Sequence, residues 1–239
     1  MNCMCIIPAR ANSKGLPGKN KIMAAGRELV RYTLELANDC TWLDKIVVST
    51  DDEDIINISG DYPRVEVPFR RPEHLATDTA ATIDVVEHVL NFYREKQYVP
   101  DTVLLLQVTS PMRTMDDIKN CLDLLAEHEA IDSVVSVEKI EEPHPYKMKT
   151  ISADGCLQPL IKGTSSEIPR QLLPPVYKLN GAIYLSRTES IYTHHSFFGS
   201  KCCPYIMSGC INIDRAEDLQ QFARLVASGQ EQEQEKIKA

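Results

Sequence analysis

No run in this 239-residue chain approaches the ~20 consecutive apolar residues that a membrane-spanning helix requires. The opening residues also lack the cationic, apolar and small-residue segments of an export signal, so a cytoplasmic location without membrane attachment is expected. Eight cysteines include no C-x-x-C pair and no His spacing suited to a metal, and several lie in apolar settings where a thiol behaves as a small hydrophobe. Reduced thiols in a reducing compartment are therefore expected. Cation excess is missing as well: 26 Lys and Arg against 34 Asp and Glu leave a formal charge of -8, which argues against nucleic acid as a partner. Neither common phosphate-loop fingerprint is there. G-x-G-x-x-G is absent, and Gly15 and Gly18 enclose two residues where a Walker A loop needs four.

What is there begins with the first twenty residues. A short apolar run, 3–7, is stopped by Pro8 and followed by a loop carrying Arg10, Ser13, Lys14, Gly15, Gly18 and Lys19. A strand, a small-residue basic loop and a helix form an arrangement that holds phosphate, because free backbone N–H groups and a helix N-terminus both attract anions. Arg10, Lys14, Lys19, Lys21 and Arg27 all precede the first carboxylate, Glu28. On an otherwise acidic chain, that is a local anion site.

At 43% apolar and 25% charged, the chain reads as an ordinary globular protein, long enough for one large domain with a small insertion. Periodicity predicts helices at 28–37, 80–96, 115–127 and 215–226, and strands at 45–50, 65–67, 102–107, 133–137 and 181–185. Residues 51–54 carry four carboxylates, better read as the first turn of a helix than as a metal site. Between 141 and 178 prolines recur and helical periodicity vanishes, with Asp154-Gly155 as a hairpin turn. That stretch is an excursion, a lid or an arm toward a second subunit. Residues 206–213 are mostly apolar, and 229–239 are polar and expected to fray. The expected fold is α/β, a doubly wound, mostly parallel sheet built from 1–140 and 179–228. Its strand-following loops, at 10–20, near Thr50, at 70–82 and at 107–113, should gather on one edge, where such sheets bind ligands.

Five ordered segments carry a resemblance. They are Pro8-Ala9-Arg10 through Leu16-Pro17-Gly18-Lys19-Asn20, Arg71-Pro72 through Asp78-Thr79-Ala80, Gln107 through Thr109-Ser110-Pro111 to Arg113, Arg170-Gln171, and Asn180-Gly181-Ala182-Ile183-Tyr184. Together they resemble the CMP-sialic acid synthetase (acylneuraminate cytidylyltransferase) family, which includes CMP-legionaminic acid synthetases, across roughly residues 3–222. Lys19-Asn20 favours that branch over the enzymes for the eight-carbon acid Kdo. The resemblance implies a Rossmann-like nucleotidyltransferase whose inserted arm, 141–178, makes a homodimer. It implies CTP contacts at Arg10, Ser13, Lys14, Lys19, Asn20, Arg71, Ala80 and Thr82. It implies an acid-sugar pocket of Gln107, Lys147, Arg170, Gln171, Asn180, Tyr184, Phe197 and Phe198, completed by the partner.

The implied reaction is attack of the anomeric hydroxyl of a nine-carbon acidic sugar on the CTP α-phosphorus, giving CMP-sugar and pyrophosphate. N-acylneuraminate is the default sugar, with legionaminic acid, pseudaminic acid or Kdo as alternatives. Lys19, Arg10 and Asp214 are the expected catalytic residues, with Mg²⁺ (or Mn²⁺) held by Asp214 and Asn212. The family carries Asp-Ile-Asp where this chain has Asn212-Ile213-Asp214, and period-two spacing would set both side chains on one strand face. Two other classes compete. A glycosyltransferase would place Asp-x-Asp after the central strand, where this chain has Gln107-Val108-Thr109, and a non-catalytic nucleotide sensor would tolerate Asn212.

Overall fold

The computed structural model describes residues 1–13 and 15–238, the last ten of these by backbone alone. Lys14, expected at the nucleotide, lies outside the described residues, as do the side chains of the polar tail.

The chain is organised around β1 (Cys3–Pro8), buried along its whole apolar run. A strand buried on both faces needs helices above and below, and alternation sends its side chains to each in turn. Cys3, Cys5 and Ile7 pack with α1 (Leu29–Asp39), α2 (Glu53–Ser59), α4 (Met115–Glu127) and α6 (Ala216–Lys238), through Leu34, Ile55, Ile118 and Phe222. Met4 and Ile6 face the other way, onto α3 (Thr82–Glu95), α5 (Thr188–His194) and Phe197. The sheet is doubly wound.

Parallel partners of β1 are β4 (Lys45–Ser49) and β6 (Thr102–Leu105), with β5 (Val65–Glu66) outside β4. A short hairpin, β2 (Met23–Ala24) and β3 (Arg27–Glu28), precedes α1. On the far side of β6, β10 (Val176–Arg187) runs antiparallel to both β6 and β7 (Ser133–Ile140), and β11 (Cys202–Ile206) closes the edge parallel to β7. The seven-stranded order is β11-β7-β10-β6-β1-β4-β5. The order reverses at β1, so the crevice beyond the carboxyl ends of β1 and β6 is the switch point.

Local chemistry explains the helices. In α3, Val85, Val86, Val89, Leu90 and Tyr93 form one buried stripe. Helix α4 opens on a reciprocal box in which Thr114 and Asp117 each accept from the other's backbone N–H. The 51–54 carboxylates do start α2: Asp52 accepts from the Asp54 N–H at 3.0 Å, and Lys21 pairs with Asp52 and Asp54 at 3.0 and 2.6 Å.

Three stretches differ from expectation. Strand β10 starts inside the proline-rich excursion, because β7 and β10 pair beyond the sheet proper, Val176 opposite Ile140, and carry the arm on that ribbon. The arm's hairpin, β8 (Lys149–Ile151) with β9 (Leu157–Pro159), turns at Gly155 as its Asp-Gly suggests. Residues 207–214 are not strand. Beyond β11 the chain turns at Gly209 (φ 74°), and Ile211 and Ile213 are apolar because they enter the core from a loop. Finally, α6 continues past 226 to Lys238. A single helical glycine costs about 1 kcal/mol, and the Gln, Glu and Lys that follow are good helix formers.

Candidate active site

A cleft of about 280 Å³ occupies the switch point, and the loops following β1, β5 and β6 meet there with residues 212–214. Arg10 ties two of them together. Its guanidinium donates to the Thr77 carbonyl and, at 2.8 Å, to Asp78 Oδ1, while Asn20 Nδ2 donates to the Arg10 carbonyl at 2.8 Å. Gly18, at φ 64°, admits the turn Lys19–Lys21. Gly15 is demanded by proximity instead, since a Cβ there would stand 2.7 Å from the Asp214 carbonyl oxygen.

Lys19 points into the cleft, largely covered, with Nζ 2.7 Å from Asp214 Oδ1. Asn212 Nδ2 donates to the other oxygen, Oδ2, at 2.7 Å. The pair expected on one strand face is therefore side by side in a loop. Asp218, one turn on, is occupied: its Oδ2 accepts from the N–H groups of Asp214 and Arg215 at 3.0 and 2.8 Å. Arg71 is buried behind the cleft wall, with Nε donating to Ser49 Oγ at 3.0 Å and Nη2 to the Ser49 carbonyl. Burial, and secondarily the Arg10 charge, push its pKa down to about 10 against the opposing pull of Asp51, so it stays cationic at neutral pH. Ser13, Ala80 and Thr82 complete the wall, and Gln107, Val108 and Thr109 form the floor.

A second hollow, about 460 Å³, shares Asn212 and Asp214 with the first and is lined further by Asn180 and the Glu138–Lys178 ion pair. Asn180 lies in the irregularity of β10 between Leu179 and Tyr184. Its Oδ1 accepts from Ser136 Oγ at 2.6 Å and from the Ala182 N–H at 3.1 Å, and its buried Nδ2 has no hydrogen-bond partner among the described residues. Other expected sugar contacts are placed elsewhere. Phe197 is buried in the core against Tyr184, ring centroids 5.9 Å apart, and burial raises the Tyr184 hydroxyl pKa; Phe198 is exposed. Lys147 donates to the Ser166 and Ile168 carbonyls at 2.5 and 2.7 Å, and Arg170 pairs with Glu141 and Glu142 at 3.1 and 3.0 Å. These two, with Gln171, sit in the arm and do not line the cleft.

Sequence reasoning gave no role to Arg113, which is buried beneath the floor, nor to Thr77 and Asp78, which hold Arg10. All three were inside quoted segments, and their side-chain types were the available signal. Chemically, the arrangement brings three cations, Arg10, Lys19 and Arg71, and two carboxylates, Asp78 and Asp214, around one crevice of an acidic protein. The cations suit a polyanion.

The sequence matches the cytidylyltransferase family over residues 4–237. It is 35% identical over 240 residues to the CMP-N,N'-diacetyllegionaminic acid synthase of Legionella pneumophila, covering 97% of this chain and 99% of that protein. With the N-acylneuraminate cytidylyltransferase of Streptococcus agalactiae serotype V it is 36% identical over 216 residues, 90% of this chain and 50% of the relative. The chain thus spans about half the length of that curated relative. Its fold is shared, at a TM-score of 0.71 and 18% identity, with a CMP:2-keto-3-deoxy-manno-octonic acid synthetase complexed with CTP, over 96% of this chain and 100% of that one.

Proposed function

The chain belongs to the cytidylyltransferase family, and on that premise we propose that it activates a nonulosonic acid, converting CTP and an N-acylneuraminate-type sugar to CMP-sugar and pyrophosphate. The observation that carries this reading is the convergence of Arg10, Lys19 and Arg71 with Gln107 and Asp214 on one switch-point cleft. Legionaminic acid is the second reading for the sugar, supported by a match that spans 99% of the Legionella pneumophila synthase.

In the reaction, the anomeric hydroxyl oxygen forms a bond to the α-phosphorus and gives up its proton to solvent as the bond to the pyrophosphate oxygen breaks. Lys19 and Arg10 offset the charge on the triphosphate and on departing pyrophosphate, positioned rather than covalently engaged. Asn20 keeps Arg10 in place by bonding its carbonyl. Asp214 presents an exposed carboxylate engaged by Lys19 on one oxygen and by the Asn212 amide nitrogen on the other, so it would hold an ion in exchange for those partners. That set suits Mg²⁺, or Mn²⁺ in its place, in company with the nucleotide, because Mg²⁺ sites commonly combine one or two carboxylates with phosphate oxygens and water. When bound, such an ion would supply Lewis-acid stabilisation of phosphate charge.

We propose a homodimer on the arm. Ile151, Leu157, Leu160, Leu172 and Tyr177 are exposed on it, while Lys147 and Arg170 stand clear of their own cleft, which supports their reaching a partner's. The deciding assay combines CTP, Mg²⁺ and separately N-acetylneuraminic, legionaminic, pseudaminic and Kdo acids, and measures pyrophosphate and CMP-sugar. Product from a nine-carbon acid is expected. Failure with every acidic sugar would overturn the reading.

A further inference from the structure

Arg113 is a cation with no carboxylate. It is 4% exposed and forms no ion pair among the described residues. Its guanidinium donates to three neutral oxygens: Nη1 to the Ala182 carbonyl at 3.0 Å, and Nη2 to Thr33 Oγ1 at 2.8 Å and to the Gln107 carbonyl at 2.5 Å. Its Nε has no hydrogen-bond partner among the described residues. Burial pushes its pKa down to about 10, which leaves it charged at neutral pH. An apolar side chain of similar length would fill this space without the desolvation penalty, so packing does not account for the charge.

Geometry does. The three oxygens belong to three segments: the loop following β6, the irregular segment of β10 and the middle of α1. Around Arg113 the floor loop is joined to β10 again, and also to the 212–214 segment. Ser110 Oγ donates to the Asn180 carbonyl at 3.2 Å, and the Ile213 N–H donates to the Thr109 carbonyl at 2.7 Å. Gln107 Oε1 lies where a Cβ on Gly181 (φ 74°) would stand 2.9 Å away, so the floor loop and β10 touch at a glycine. Whatever sets the position of residues 107–113 therefore sets Gln107 directly, and Asp214 through Thr109 and Ile213.

We propose that Arg113 is the positioning residue of the acid-sugar half of the cleft: it fixes Gln107 against β10 and hangs the 212–214 segment, without touching ligand itself. This rests on the activity proposed above. The nucleotide half is held by other means, since Arg10 is anchored by Thr77 and Asp78, and Arg71 by Ser49.

The test uses Arg113→Lys, which keeps the charge and loses the fork, and Thr33→Val, which deletes one anchor in α1 at constant volume. With the full chain and its best sugar, Arg113→Lys should raise the sugar KM about tenfold or more and lower kcat, while the Kd of metal-free CTP stays within about twofold. Thr33→Val should move the sugar KM the same way by less. Hydrogen–deuterium exchange gives a readout that needs no turnover: exchange in Arg113→Lys should rise in 107–113 and 208–214 and stay unchanged in 10–20 and 70–82. A folded Arg113→Lys protein with wild-type sugar KM would overturn the proposal. So would loss of CTP affinity in step with sugar affinity, or exchange raised uniformly. If the wild-type protein turned over no acidic sugar, the activity reading would fall, and the exchange pattern would still decide whether Arg113 sets these two segments.

Discussion

Lys19 and Asp214 meet at 2.7 Å, and each is then a competitor for what the other is expected to hold. Bound phosphate would draw Lys19 away from the carboxylate, and a bound divalent cation would draw Asp214 away from the amine. With Asn212 donating to the remaining oxygen, Asp214 has little left to offer an ion until the nucleotide arrives. Asn212→Asp should therefore tighten Mn²⁺ binding to the nucleotide-free protein about tenfold, roughly 1.4 kcal/mol, in an electron paramagnetic resonance titration. Asp214→Asn should lower pyrophosphate release by about 10²-fold or more, judged against removal of a preorganised charge stabiliser. Near-normal turnover in Asp214→Asn would take the proposed metal role off this residue. Gly15 shows what a sequence discloses at this scale and what it hides. The glycine reads as one small residue of a loop whose free N–H groups attract phosphate, yet a Cβ there collides first with the Asp214 carbonyl. The residue type was legible, but its reason was not, because the neighbour lies about 200 residues away along the chain. Gly15→Ala should lower activity more than it lowers melting temperature, at a stability cost of about 1–3 kcal/mol for overpacking.

Among the elements, helices and parallel strands were legible because their apolar periods match their burial, as in α3 and β1. The stretch 206–213 was not: Ile211 and Ile213 are buried from a loop, and burial without a ladder has the same hydrophobic signature as a strand. Nor does composition record that α5 is tied to α3. His195, at the end of α5 with φ 49°, has Nδ1 2.8 Å from Glu87 Oε1 and Nε2 3.1 Å from Asp84 Oδ1, both on the helix that begins at the cleft with Thr82. The hydrogen bond to Glu87 first, then that carboxylate's charge and the Asp84 charge, raise the His195 pKa. A histidine whose folded pKa lies above its unfolded value of about 6.5 adds stability that is fully present below 6.5 and disappears as pH rises through the folded pKa. His195→Asn keeps a residue that tolerates positive φ and removes the charge. Melting temperatures of wild type and His195→Asn should differ most below pH ~6.5 and converge in alkaline buffer. A constant gap across pH would mean the contact is not charge-driven.

For the molecule as a whole, strand–helix alternation was enough to say which loops share an edge, and the cleft assembled from them needed no knowledge that β10 is antiparallel. What one chain's sequence cannot specify is where the arm goes. Seven of the fifteen large apolar side chains exposed among the described residues lie between 141 and 179: Ile151, Leu157, Leu160, Ile161, Leu172, Tyr177 and Leu179. Ile151 and Leu157 are paired across the arm's hairpin, and Tyr177 and Leu179 share one face of β10. Such a concentration supports the proposed dimer interface, and a stable one hides about 800 Å² per partner. The cations beside it, Lys147 and Arg170, are spent on carbonyls and carboxylates of the arm itself and do not line the home cleft. Opposite charge or a carboxylate-bearing sugar in a neighbouring cleft would give them a second use. The double variant Ile151→Glu, Leu172→Glu alters two side chains that are 73% and 74% exposed, so the protomer fold should be kept while association is lost. Sedimentation velocity should show wild type as a dimer and the variant as a monomer. That monomer should bind CTP with unchanged Kd, because Arg10, Asn20 and Arg71 are held within one chain, and should lose turnover of the sugar by about 10²-fold. A monomer that turns over sugar at the wild-type rate would show that each cleft is complete in its own chain, and would return the arm to a purely structural part.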